Sequence, residues 1–180
     1  MVYSVTNESG TFEVNLDNEE TQTKVLTHEL GHAIVAINLG YPSSIYYDLE
    51  KHIFSTQNNI INGSIENCND INKLEDNATV LLGGWAAENW TGKVTMGSIM
   101  GDFKALFNTK KRIAEIKGKN FPYKVILDRE FASEYKENQD EAWRILSAVD
   151  KNSLINAADQ YLKLYKQGVN PITIGFQYKE

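Results

Sequence analysis

The chain has 180 residues, 42% of them hydrophobic and 23% charged, with a net charge of −6 and a pI near 5.2. That length and balance suit a single globular domain with a proper core and exclude a disordered chain. The acidic balance argues against nucleic-acid and anionic-membrane partners, no 18-residue apolar run is present, and the amino terminus lacks a signal pattern. A cytoplasmic protein is expected, with the single Cys68 a small, inert side chain unable to form an internal disulfide.

Residues 1–16 hold two short alternating segments around Ser9-Gly10 and read as a strand pair or an extended lead-in. Asp17 or Asn18 can cap the helix that follows, with Glu19 and Glu20 well placed in its first turn and Gly40 and Pro42 marking its end. From Val25 to Leu39 this helix is apolar on nearly every face, as expected of a helix buried in a core. Its only ionisable groups are those of His28-Glu29-Leu30-Gly31-His32. Residues four apart share a helix face, so the two imidazoles can converge on one cation. Glu29, about 100° around the helix from His28, borders that face and can reach a metal-bound water without binding the metal. This HExxH pattern suits a zinc-dependent hydrolase in which Glu29 is the general base. Burying a carboxylate and two imidazoles without partners costs several kcal/mol, and a bound cation offsets that cost.

Three segments then read as a small antiparallel sheet: S-I-Y-Y-D-L-E, K-H-I-F-S-T and I-I-N-G-S-I-E. In many HExxH folds an edge strand pairs with an extended peptide, although a plain structural meander fits equally. His52, in the second segment, has no partner at ligand spacing and reads as surface. A second helix is expected from Asp70 to Trp90, interrupted at Gly83-Gly84. A mid-helix glycine costs about 1 kcal/mol relative to alanine. The pair therefore predicts close approach of another backbone, and Gly31 is the matching gap in the first helix. Glu88, one turn beyond Gly84, would then lie near the metal and accept a hydrogen bond from a ligand imidazole; a solvated helix-end glutamate is the alternative.

Residues 91–102 form a glycine-rich turn region, and by local chemistry Asp102 is the N-cap of a third helix. A zinc protease needs a third protein ligand, and neither a nearby third His nor a downstream Glu-x-x-x-Asp helix is present, so a distant residue must supply it. From Phe121-Pro122 to Gly168 the chain reads as amphipathic helices: one with Val125, Leu127 and Phe131, one with Trp143, Leu146 and Val149, and one with Leu154, Ala158, Tyr161 and Tyr165. Asn152-Ser153 would cap the last of these, and the tail from Pro171 is strand-like or frayed.

The strings HELGHAIVA, LLGGWAAENW and TMGSIMGDFKAL, in this order, resemble the peptidase domain of the FtsH-type AAA proteases. That family has an HExxHA helix, a G-G-R-x-A-E helix and a T-G-x-x-N-D segment whose aspartate is the third zinc ligand. The resemblance spans about residues 20 to 165, and the later string ILDREFASEYKENQDEAWRILSAVDKNSL is similar to the family's carboxy-terminal helices. It implies that Asp102 is the third ligand and Glu29 the catalytic base. Trp85 stands where the family has arginine, Asn89 where a second glutamate is common, and Gly101 where it has asparagine. The ATPase module and membrane helices are absent from this sequence, so threading of folded substrates is not implied.

The expectation is thus a mainly helical α+β fold with an HExxH helix, a small antiparallel sheet and a carboxy-terminal helical bundle. One metallopeptidase-like domain covers residues 1–180, with a lead-in at 1–16, a catalytic core at 17–118, a helical subdomain at 119–168 and a tail at 169–180. The expected function is zinc-dependent hydrolysis of peptide bonds in unfolded or short polypeptides, with Zn²⁺ on His28, His32 and Asp102. A separate ATPase partner is conceivable, and the oligomeric state is open. The alternatives are a metal-stabilised, non-catalytic binding or adaptor domain, and a regulatory peptidase resembling ImmA with a different third ligand.

Overall fold

The computed structural model describes residues 2–7, 10–15, 18–51, 53–94, 98–121 and 133–174. Its order is β1 (Val2–Asn7), β2 (Gly10–Asn15), α1 (Glu19–Asn38), β3 (Ser43–Asp48), β4 (Ile53–Asn58), α2 (Ile71–Leu81), α3 (Gly83–Thr91), α4 (Ser98–Ile116), α5 (Lys136–Ser147), α6 (Lys151–Lys166) and β5 (Ile172–Thr173). A mainly helical α+β fold with a small antiparallel sheet is what the composition and patterning foretold.

α1 is the axis of the molecule. The Asn18 side chain accepts from Glu20 N at 2.8 Å to start it, and the chain turns away through Gly40 at φ +90°. Val25 to His28 and Leu30 to Ala36 are buried, so nearly two turns of the helix are enclosed on all sides. Helices α2, α3, α5 and α6 and strands β3 and β4 all pack on it. At its start, Glu19 is ion-paired with Lys166 from the end of α6.

β1 and β2 form an antiparallel hairpin, as read from the alternation around Ser9-Gly10. The second sheet has strand order β4-β3-β5 and is antiparallel throughout. Here one expectation is corrected. The segment at 60–66 is not a strand; it is bent and enters a short 3₁₀ helix at Ile65–Asn67. The third strand comes instead from Ile172–Thr173, far along the chain. Asn170 prepares that docking, accepting from Tyr47 N at 2.9 Å and donating to Tyr47 O at 3.2 Å, as a neighbouring strand would. Ser43, Ile45 and Tyr47 face the core in strict alternation.

The helix expected from Asp70 to Trp90 is two helices that meet at Leu82, with Asp70 capping the first through Asn72 N and Lys73 N. Trp143 on α5 packs against Trp85 and Trp90 of α3, with ring centroids 6.2 and 5.9 Å apart. The cap of α6 is Asp150, which accepts from Ser153 N at 2.7 Å, and not Asn152-Ser153. A carboxylate one residue before the helix reaches the free N–H groups of its first turn. The helix expected around Val125, Leu127 and Phe131 lies outside the described residues, as do His52, Asp17, the turn at 95–97 and the tail beyond 174. Among the described residues no helix is long and apolar enough to cross a membrane.

Candidate metal centre

The centre is built where α1 and α3 touch. A Cβ on Gly31 would collide with the Gly83 carbonyl oxygen and stand 2.6 Å from Ala87 Cβ, and one on Gly83 would stand 2.5 Å from the Gly31 carbonyl oxygen. The two backbones are in direct contact, as the mid-helix glycines foretold. Gly84 has a different reason: a Cβ there would lie 2.5 Å from His28 Nε2 and 2.7 Å from His32 Nε2. Its missing side chain is the space the imidazoles occupy.

Both rings are fixed from behind. Glu88 is fully buried and its Oε1 lies 2.9 Å from His28 Nδ1. Of the two readings of this glutamate, a buried partner of an HExxH imidazole and a solvated helix-end carboxylate, the structure shows the first, on His28. His32 Nδ1 lies 2.7 Å from the carbonyl oxygen of Val80, in the last turn of α2, where helix carbonyls lose their intrahelical partners. With the proton on Nδ1 in each ring, each Nε2 offers a lone pair. Gly84 N–H also approaches His32 Nδ1, at the longer distance of 3.3 Å, consistent with the Val80 bond setting the tautomer.

The two Nε2 atoms face each other at 3.0 Å. Asp102 Oδ2 closes the figure, 2.8 Å from His28 Nε2 and 3.2 Å from His32 Nε2. The expectation that Asp102 caps the third helix is corrected, because α4 begins at Ser98 and Asp102 sits a full turn inside it. Its carboxylate is therefore not spent on backbone N–H groups, and is turned toward the histidines of α1. An aspartate just ahead of a helical run has the same local signature whether it caps the helix or lies in its first turns, so only the three-dimensional placement separates the two roles.

Three ligand-type atoms thus form a triangle with edges of 2.8 to 3.2 Å. Tetrahedral zinc with nitrogen and oxygen ligands at 2.0 to 2.1 Å has ligand–ligand edges of about 3.3 Å. The residues present fit such an ion. Independently of Asp102, His28, Glu29 and His32 form a group whose ligand atoms all lie within 4.8 Å of one another and which can hold a metal ion.

The electrostatics fit the same picture. Burial alone would lower the pKa of His28, but its hydrogen bonds to the Asp102 and Glu88 carboxylates outweigh it and raise the value to about 10. Burial likewise opposes the charge on His32, and the Asp102 carboxylate outweighs it to raise that pKa. The two rings in turn overcome the burial of Asp102 and hold its carboxyl below the ordinary range. The group thus favours a positive charge among the three side chains.

Glu29 is half-buried beside this triangle. Thr56 on β4 reaches it from the sheet, its Oγ1 lying 2.7 Å from Glu29 Oε2 and 2.8 Å from the Glu29 carbonyl oxygen. Neither Thr56 nor the Val80 carbonyl is marked as functional by the sequence. A backbone carbonyl carries no residue signature, and Thr56 shows only an alternation that puts it on the same strand face as the buried Phe54. No protein-family model matches the chain, and no curated protein or solved structure matches it either.

Proposed function

We propose that the protein is a zinc-dependent endopeptidase, similar in its centre to the FtsH-type peptidase domain, acting on unfolded or short polypeptides. The observation that carries the reading is the triangle of His28 Nε2, His32 Nε2 and Asp102 Oδ2, with the Glu29 carboxylate alongside. Imidazole and carboxylate donors suit zinc among the common divalent ions. Zinc, when bound, supplies a Lewis acid that acidifies water and polarises a carbonyl. His28, His32 and Asp102 would hold it, a set of three protein ligands where closed structural sites have four.

The chain's own residues do the rest. Glu88 and the Val80 carbonyl keep the imidazole tautomers with Nε2 toward the ion. Glu29 takes a proton from the attacking water and gives it to the leaving amine, so the same carboxylate serves both proton transfers. The edge strand β4 adjoins Glu29 through Thr56, which supports a reading in which an extended peptide adds to the sheet there. Sequence-tolerant backbone pairing of that kind suits a substrate without stable structure.

Metal content of the purified protein, beside Asp102→Ala, tests the reading when followed by cleavage of fluorescent casein with and without chelator. The expected result is about one zinc per chain in the wild type, loss of the metal in the variant, and cleavage that the chelator abolishes. Zinc retained in Asp102→Ala would remove Asp102 from the ligand set, and zinc without cleavage would make this a metal-stabilised binding domain.

A further inference from the structure

Thr56 Oγ1 lies within hydrogen-bonding distance of two oxygens of one residue, Glu29 Oε2 at 2.7 Å and the Glu29 carbonyl oxygen at 2.8 Å. A hydroxyl has one proton to donate, so the bond is three-centred or alternates between the two acceptors. In either case a single hydroxyl bridges the Glu29 carboxylate and the Glu29 carbonyl oxygen. The hydroxyl itself is stiff. Threonine is branched at Cβ and has few χ1 choices, and β4 is registered against β3 with Thr56 opposite the buried Ile45.

We infer that Thr56 is a positioning residue, whose hydroxyl holds Glu29 Oε2 and so keeps the carboxylate in one rotamer with its second oxygen available beside His28 and His32. The assignment divides the centre between two layers. Helices α1 and α4 carry the ligand atoms, and the sheet carries the group that fixes the base. Thr56 does not touch the ligand triangle, so its removal should leave the metal in place. The catalytic meaning of the inference rests on the function proposed above, while the rotameric part stands on the hydrogen bonds alone.

The experiment compares wild type with Thr56→Val, which keeps the branched shape and removes the hydroxyl, and Thr56→Ser, which keeps the hydroxyl. In metal-free protein, three-bond NMR couplings of the Glu29 side chain should show one rotamer in wild type and Thr56→Ser and averaging in Thr56→Val. In zinc-loaded protein, Thr56→Val should hold the same zinc content and lose about tenfold to a hundredfold in kcat, the span of one hydrogen bond to a charged group. KM should stay within about twofold, and Thr56→Ser should recover most of the rate. A single Glu29 rotamer in Thr56→Val, or wild-type kcat in that variant, overturns the inference. Absence of hydrolysis by zinc-loaded wild type overturns the proposed function instead, and the couplings then still decide whether Thr56 holds Glu29.

Discussion

Two clusters of polar side chains lie between the helices of this protein, and they are built on opposite plans. Between α2, α4 and α5, Lys110 Nζ meets Glu75 Oε2 at 2.6 Å, Asn138 Nδ2 donates to Thr79 Oγ1 at 2.9 Å and to Glu75 O at 3.1 Å, and Asn77 Nδ2 donates to Thr109 Oγ1 at 3.1 Å. Donors face acceptors, and within this cluster Asn138 Oδ1 alone is left without a hydrogen-bond partner among the described residues. Between α1, α3 and α4 the arrangement is reversed. Donors and acceptors are matched on the outside of the rings, and on the inside the two Nε2 atoms and a carboxylate oxygen crowd together at about hydrogen-bond distance. Atoms that all offer lone pairs are stable in such a group only around a positive charge, a proton or a metal ion. A polar cluster that closes on itself joins helices; one that points its lone pairs at a common centre is built for a cation.

Several changes would break or sharpen that contrast. The largest effect is expected from Glu29→Gln, whose amide cannot take a proton: casein cleavage should fall by about a thousandfold with zinc content unchanged. Cleavage retained in this variant would remove Glu29 from its role as base. Gly31→Ala should follow, because the added methyl meets backbone and not a movable side chain; a loss of about 3 kcal/mol is expected, read from urea unfolding.

The third effect is one of pH, and it has two signs. His28 has its pKa raised from 6.5 to about 10, so its proton stabilises the metal-free fold fully below pH 6.5 and less and less as the pH rises toward 10. Zinc must displace that proton. Its apparent affinity should therefore climb about tenfold per pH unit over the range below 10, while metal-free stability declines between pH 6.5 and 10. Competition with a chelator and urea unfolding at pH 6.5 and 8.0 measure both; zinc affinity that does not change with pH would exclude His28 as a ligand. The smallest effect belongs to the self-satisfied cluster. Lys110→Met should cost about 1 kcal/mol, because the Glu75 carboxylate it leaves behind is one-third exposed and can turn to water, and zinc affinity should not move.

The sequence was most informative where one residue type had a single physical explanation. Glycines within helical sequence at 31, 83 and 84 demand close packing, and they announced both the α1–α3 contact and the neighbourhood of Glu88, although Gly83 and Gly84 open α3 and do not interrupt a longer helix. Three ionisable residues in the mostly apolar stretch from Val25 to Leu39 announced the centre itself. Legibility failed where one local pattern serves two ends. Asp102 has the chemistry of a cap and is used elsewhere, while Asp150 supplies the cap that Asn152-Ser153 had been expected to make. Residues 60–66 have the branched residues of a strand and form none, and the third strand is Ile172–Thr173, which joins β3 from more than a hundred residues away. A pairing of two residues on each side leaves no periodicity to read. Thr56 had no local signal at all, since its partner Glu29 becomes a neighbour only when β4 is laid along α1.

The meeting of α1 and α3 has one more consequence. Most helix pairs are spaced by side chains, and the spacing yields by tenths of an ångström whenever one of those side chains is exchanged. At Gly31 and Gly83 no side chain intervenes, so the distance between the two helices is set by the dimensions of the peptide group. His32 follows Gly31 in the chain and Gly84 follows Gly83, so the imidazole and the gap that receives it inherit that fixed gauge. Substitutions in the outer core can accumulate and be absorbed by repacking there. The bite of the two histidines changes only if a peptide group does.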